Sequence, residues 1–302
     1  MKGRSYVVYD VFTDTPLTGN PLAVVREADG LDTLAMQRIA AEFNLSETVF
    51  VLPAAASRHR AKIRIFTPAT ELPFAGHPTV GTAIALAEQS GEGGEAGIFV
   101  LEEGVGPVRC AVSERHGTSF AEFDLPRLAE PVAFPALPEA VAAALGLDAH
   151  EIGFENHRIG AWSGGVPYVT VPVRGLAEAA KAQMNVALWV SLAPRLGHLV
   201  AAPYVYCRDC VRHDSAFHAR MFAAHEGIPE DPATGSAVAA LTGAILHYDQ
   251  PVEGSSQFWI EQGVEMGRPS RIRLEMDVAG GKLTAGRIGG HAVRVAEGTL
   301  FV

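Results

Sequence analysis

The chain alternates apolar and polar residues in short runs, the period of a half-buried strand. Ser5 to Phe12, Lys62 to Phe66, Ile98 to Leu101, Tyr168 to Val171, Arg271 to Leu274 and Ala292 to Val295 all carry it. Two stretches break the rhythm, Thr82 to Glu88 and Ser236 to His247, where Ala, Ile, Leu and Val fall on nearly every face of a helix. Helices apolar all round are buried ones. Thr33 to Phe43, with Asp32 placed to cap it, and Pro138 to Leu145 read instead as amphipathic helices packed outside a sheet.

The two apolar helices belong to a repeat. Residues 76–85, GHPTVGTAIA, align with residues 230–239, EDPATGSAVA, so that proline, glycine, hydroxyl, alanine and a β-branched residue coincide. Upstream of each lies a matching strand end, Arg64-Ile65-Phe66 and Arg220-Met221-Phe222, so the order strand, loop, X-Pro, helix occurs twice. Pro78 and Pro232 are expected in the first helical turn, where a proline loses no useful donor. The fold class expected is α+β: two pseudo-symmetric domains, each a curved, mostly antiparallel sheet wrapped around a central buried helix. The proline-rich stretch Pro126 to Pro138 marks the boundary. It divides the chain into residues 1–127 and 128–287, with a last strand, about 288–302, able to return to the first domain.

At 302 residues the chain exceeds one ordinary core and suits two. Its net charge of -10 argues against a nucleic-acid binder, which normally presents a basic face. The first residues run straight into a strand pattern with no signal-peptide core, and no apolar run reaches the roughly 18 residues of a membrane span. Three cysteines make no disulfide framework and fit a reducing compartment, so a cytoplasmic, soluble protein is expected. Gly91 to Gly97 is the low-complexity segment, read as a mobile surface turn. It lacks the Lys-Ser/Thr of a phosphate loop.

A buried helix leaves backbone N–H groups unpaired at its N-terminus, and with the macrodipole they form an anion site. His77 and Asp231 share one position of the repeat, immediately before the proline, where a proton donor and acceptor could face one ligand. Asp231 could equally cap its helix, and His77 could be satisfied by nearby backbone. Gly235 allows close ligand approach and Ser236 adds a hydroxyl, though both also suit the start of a helix. Glu47 stands between a surface helix and an apolar strand, where desolvation raises a carboxylate's affinity for protons. Spacing alone leaves it open whether Glu47 is a base or an ordinary strand residue. Cys207, Cys210 and His213 have metal-ligand spacing without a second pair, and the ordinary reading is a strand end running into a polar loop.

Several segments in one order resemble the PhzF family, the phenazine-biosynthesis isomerases on the diaminopimelate-epimerase fold. They are Asp10 to Phe12 with Thr18 to Val25, Asn44 to Phe50, Arg64 to Pro68 with Glu71 to Gly81, Glu230 to Ala237, Glu261 to Gly263 and Met266 to Ser270. The resemblance implies a cofactor-independent isomerase that shifts a proton between carbons of a small acid, with Glu47 as acid/base and His77 and Asp231 orienting substrate and relaying protons. It places Asn20, Ser46, Gly76, Pro78, Thr79, Gly235 and Ser236 around the substrate in an interdomain cleft. It implies no metal and a homodimer, while the charge and the lack of a long apolar run are what argue against a nucleic-acid or membrane partner. An epimerase with two facing bases and a non-catalytic ligand-binding member are the rival readings. The loop Ala161 to Tyr168 departs from the family by carrying a tyrosine where a histidine is often expected.

Overall fold

The alternating segments form strands, and the two apolar stretches form the longest helices. The computed structural model describes residues 3–90, 97–135 and 137–302, so the turn expected at 91–97 lies, apart from Gly97, outside the described residues. Two units result: one runs to Pro126 and resumes over Gly289–Val302, and the other spans Arg127–Ile288.

In the first unit the strands are β1 (Gly3–Val11), β2 (Asn20–Val25), β3 (Glu47–Leu52), β4 (Ala61–Phe66), β5 (Glu71–Leu72), β6 (Gly97–Glu103), β7 (Gly106–Arg115) and β8 (Thr118–Asp124). Helix α1 (Thr33–Phe43) begins where Asp32 accepts from the Ala35 N–H at 2.7 Å, and it buries Met36, Ile39 and Ala40 on a core containing Val25, Phe50 and Phe66. Helix α2 (Gly76–Gln89) is buried over its first three turns. It lies against β1, β2, β3, β6, β7 and β8. The final strand, Lys282–Phe301, pairs with β1 and also with β8, which closes the sheet around α2. Close approach of helix and sheet depends on Gly81, where a Cβ would stand 2.6 Å from Leu22 and 2.7 Å from Val11.

The second unit holds β9 (Glu130–Pro131), β10 (Gly160–Ser163), β11 (Pro167–Pro172), the small hairpin β12 (Arg195–Leu196) and β13 (Leu199–Val200), β14 (Ala202–Cys207), β15 (Phe217–Ala223), β16 (Ile228–Asp231), β17 (Gly254–Gln262) and β18 (Ser270–Ala279). Three short helices, α3 (Pro138–Ala144), α4 (Leu176–Lys181) and α5 (Val186–Leu192), cover one face. Their side chains join Val169, Val171, Val205 and Trp189 in one core. The buried helix is α6 (Gly235–Tyr248).

The repeat read from the sequence is a repeat of topology. In the first unit β2 pairs parallel with β3, β3 antiparallel with β4, β4 antiparallel with β5 and parallel with β6, and β6 antiparallel with β7. The second unit runs the same course through β11, β14, β15, β16, β17 and β18. Even the fastening before the buried helix recurs: Arg64 grips Glu71 at 2.6 and 2.7 Å, and Arg220 grips Glu230 at 2.8 Å twice. Such two-pronged pairs fix geometry as well as contributing energy.

The two copies differ at the proline. Pro78 lies in the first turn of α2, as expected, but Pro232 stands before α6, which starts only at Gly235. The reason is strand β16, which continues to Asp231 opposite Met221. A residue preceding proline favours such extended backbone. In the first unit β5 ends at Leu72, three residues before the helix, and leaves the chain free to turn.

Candidate active site

In the first unit, β3 and α2 bring Glu47 and His77 together. Glu47 opens β3, paired with Leu22 of β2, and its Oε2 lies 3.4 Å from Nε2 of His77 in the first turn of α2. The imidazole is only 4% exposed and the carboxyl 12%. Burial pushes the His77 imidazole down to about 3, so the ring is uncharged and the contact is not an ion pair at neutral pH. A neutral imidazole can accept a proton at one nitrogen and donate at the other, which suits exchange with a neighbouring carboxyl. No side chain caps α2, so its first N–H groups are left for other acceptors.

The other residues expected in this half are placed as follows. Asn20 opens β2 and is fully buried. Ser46 is half-buried in the bend before Glu47, and Gly76 is the buried first residue of α2. Pro78 is buried and has no N–H to offer. Thr79 is fully buried, with its hydroxyl engaged internally, 2.8 Å from the Ala75 carbonyl and 2.9 Å from Glu103.

In the second unit, Asp231 ends β16 and accepts a short hydrogen bond from the Thr234 hydroxyl. Thr234 in turn accepts from the Gln262 amide at 3.0 Å, and the same amide donates to the Asp231 carbonyl at 2.8 Å. The Gln262 carbonyl oxygen takes the Tyr204 hydroxyl at 3.2 Å and the Thr234 N–H at 3.3 Å. Asp231 is thus held by a chain of polar groups, each buried and each bonded, an arrangement that rigidifies what it positions. Beside it, Gly235 begins α6 without a side-chain cap, and the Ser236 hydroxyl lies 2.7 Å from that of Tyr168. Gly263, at φ +75°, allows the backbone to pass there, since a Cβ would meet the carbonyls of Arg268 and Pro232 at 2.5 and 2.6 Å.

Sequence reading passed over Gln262, Thr234 and Tyr168 as site residues. Gln262 carried a faint signal, a polar residue next to a glycine just after the apolar run Phe258-Trp259-Ile260. Its partners, however, lie 28, 31 and 58 residues away.

Elsewhere the titratable groups have structural work. His218 bridges Glu261 and Glu265 at 2.9 Å each. Burial opposes its charge, but the two hydrogen bonds and charges prevail and lift it to about 9. Cys207 and Cys210 are free thiols at the end of β14, and burial pushes both up to about 12, far from a reactive thiolate. Among the described residues Glu155, His157 and Asp249 have ligand-like spacing. Arg208 already pairs with Asp249 and Glu155, and His157 bonds Tyr206 and Asp249.

Two like units, each packed on a buried helix whose start lies beside an imidazole or a carboxylate, make up an epimerase-like α+β fold. A solved hydroxyproline epimerase of Agrobacterium vitis shares this fold, with TM-score 0.67 at 16% identity over 99% of this chain and 92% of that one. The chain belongs to the PhzC-PhzF family of phenazine biosynthesis-like proteins, whose model matches residues 9–298. It is 63% identical, over the full length of both, to an uncharacterized isomerase of Mesorhizobium japonicum. It is 34% identical to a trans-2,3-dihydro-3-hydroxyanthranilate isomerase of Pseudomonas aeruginosa, covering 98% of this chain and 99% of the relative. The crystal structure of a PhzF-family protein of Bacillus anthracis matches with TM-score 0.88 and 28% identity over all of both chains. The protein is an isomerase of this family.

Proposed function

We propose that this isomerase moves a proton between carbons of a small, unsaturated acid, with Glu47 as the group that takes the proton and returns it. The observation that carries the reading is the approach of the Glu47 carboxyl to the buried, uncharged His77. Removing a proton next to an unsaturated acid leaves a delocalised anion. Uncapped helix starts aimed at its oxygens would stabilise that charge as it forms. His77 would hold or pass a proton for Glu47, and Asp231, fixed by Thr234 and Gln262, would orient the substrate and relay a second proton. Asn20, Ser46, Gly76, Gly235 and Ser236 supply the remaining polar surface and room for the substrate. The relatives favour a cyclic dihydroaromatic acid, as the name of the Pseudomonas aeruginosa enzyme specifies for that protein. No cofactor is called for by this chemistry.

Incubation in D2O with the dihydroaromatic acid and a panel of related small acids, followed by NMR of carbon-bound deuterium, tests the proposal. A well-placed general base contributes on the order of a hundred- to ten-thousand-fold. Glu47→Gln should therefore lose about two orders of magnitude or more of exchange and product formation. Full exchange in that variant would remove Glu47 from the mechanism and favour two facing bases instead. We further read the protein as a cytoplasmic homodimer. Light scattering that returns the mass of one chain, 32.0 kDa, would count against the dimer.

A further inference from the structure

Beneath the His77 turn lies a carboxyl the mechanism does not use. Glu103 ends β6 and is only 8% exposed, with Oε1 2.9 Å from the Thr79 hydroxyl and Oε2 without a hydrogen-bond partner among the described residues. The same hydroxyl lies 2.8 Å from the carbonyl of Ala75, the residue that precedes α2. A hydroxyl has one proton, and a carbonyl can only accept. If Thr79 donates to Ala75, its contact with Glu103 needs a proton on the carboxyl. If instead Glu103 were ionised, a buried carboxylate would hold a single hydrogen bond and one bare oxygen, leaving most of its lost hydration uncompensated. The first arrangement satisfies every donor.

We infer that Glu103 is kept as a neutral carboxylic acid that donates to Thr79, and through Thr79 to Ala75, latching the first turn of α2 that carries His77. It is a positioning residue, and its bearing on catalysis rests on the role proposed for His77. Burial pushes the Glu103 carboxyl up to about 8, and only a Thr79 hydroxyl donating to the carboxylate would pull the other way. No neighbouring charge enters among the causes of that shift. Of the groups facing it from the adjoining hairpin, Cys110 of β7 senses Glu103 and is itself held neutral by burial, while Asp124 of β8 and Arg109 of β7 act on Cys110 with opposite sign. On α2, which Glu103 touches at Thr79, the titratable group of the first turn is the uncharged His77. As pH rises past 8 the donated proton is lost, Thr79 must turn to the carboxylate, and the Ala75 carbonyl gives up its side-chain donor.

Carbon-13 NMR of protein labelled at the glutamate carboxyls, titrated from about pH 6 to about pH 10, tests the latch without any substrate. One glutamate should remain protonated at neutral pH, vanish from the spectrum of Glu103→Gln, and titrate near pH 8. The amide signals of residues 76–80 should follow with the same midpoint in the wild type and stay constant in Glu103→Gln, whose amide donates at every pH. Thr79→Val, which removes the acceptor, should shift that one resonance and identify it even if the glutamine variant fails to fold. Every glutamate ionised at neutral pH, or amides of 76–80 that ignore the titration, would overturn the inference. Because these signals need no turnover, they stand or fall apart from the isomerase reading.

Discussion

His77 enters the fold without its charge, and that has a sign. Its folded-state value, about 3, lies below the ordinary 6.5, so the unfolded chain binds the extra proton first. The stability tied to this ring is present above pH 6.5 and drains away as pH falls toward 3. At pH 4 the loss reaches about 3 kcal/mol by the linkage relation. Denaturant titrations at pH 7 and pH 4 should show the wild type losing more stability than His77→Gln over that interval, and equal losses would mean the imidazole is not held neutral. His77 and Asp231 stood out as candidates because they share one position of the repeat, and Glu47 only through the resemblance of its segment. Gln262, Thr234 and Glu103 did not, since each gains its role from a partner dozens of residues away or from burial that only the closed sheet creates.

Among the elements, α1 was the most readable. Its N-cap, period and end all follow from local chemistry: Asp32 bonds the Ala35 N–H, and Asn44 closes the helix in the left-handed conformation. Asp32→Ala should cost about 1 kcal/mol, the usual worth of such a cap, and leave deuterium exchange unchanged. Thermal melts paired with the exchange assay check both halves of that expectation. A loss of exchange would tie α1 to the site it precedes. The start of α6 was less readable, because the residues around Pro232 look like those around Pro78 and only the strand pairing of Asp231 with Met221 delays the helix. Local sequence proposes where a helix begins, and long-range pairing decides it.

At the scale of the whole molecule, the two units titrate differently. His218 belongs to the second unit and is raised to about 9, so its contribution is complete below pH 6.5 and lost as pH climbs through 9. All three tryptophans, Trp162, Trp189 and Trp259, also fall in the second unit, so indole fluorescence reads that unit selectively. The urea midpoint followed by fluorescence should fall between about pH 6.5 and about pH 9, and His218→Gln should flatten that fall. A midpoint indifferent to pH in the wild type would show that His218 is not charged between its two carboxylates.

The return of the final strand to β1 sets an order of events during synthesis. A chain emerging from the ribosome completes Arg127–Ile288 before it has Gly289–Val302, so the second unit can close while the first still lacks the strand that pairs with β1. The unit that holds Glu47 and His77 is therefore assembled last, and the sheet around these two residues waits for the strand of residues 289–302.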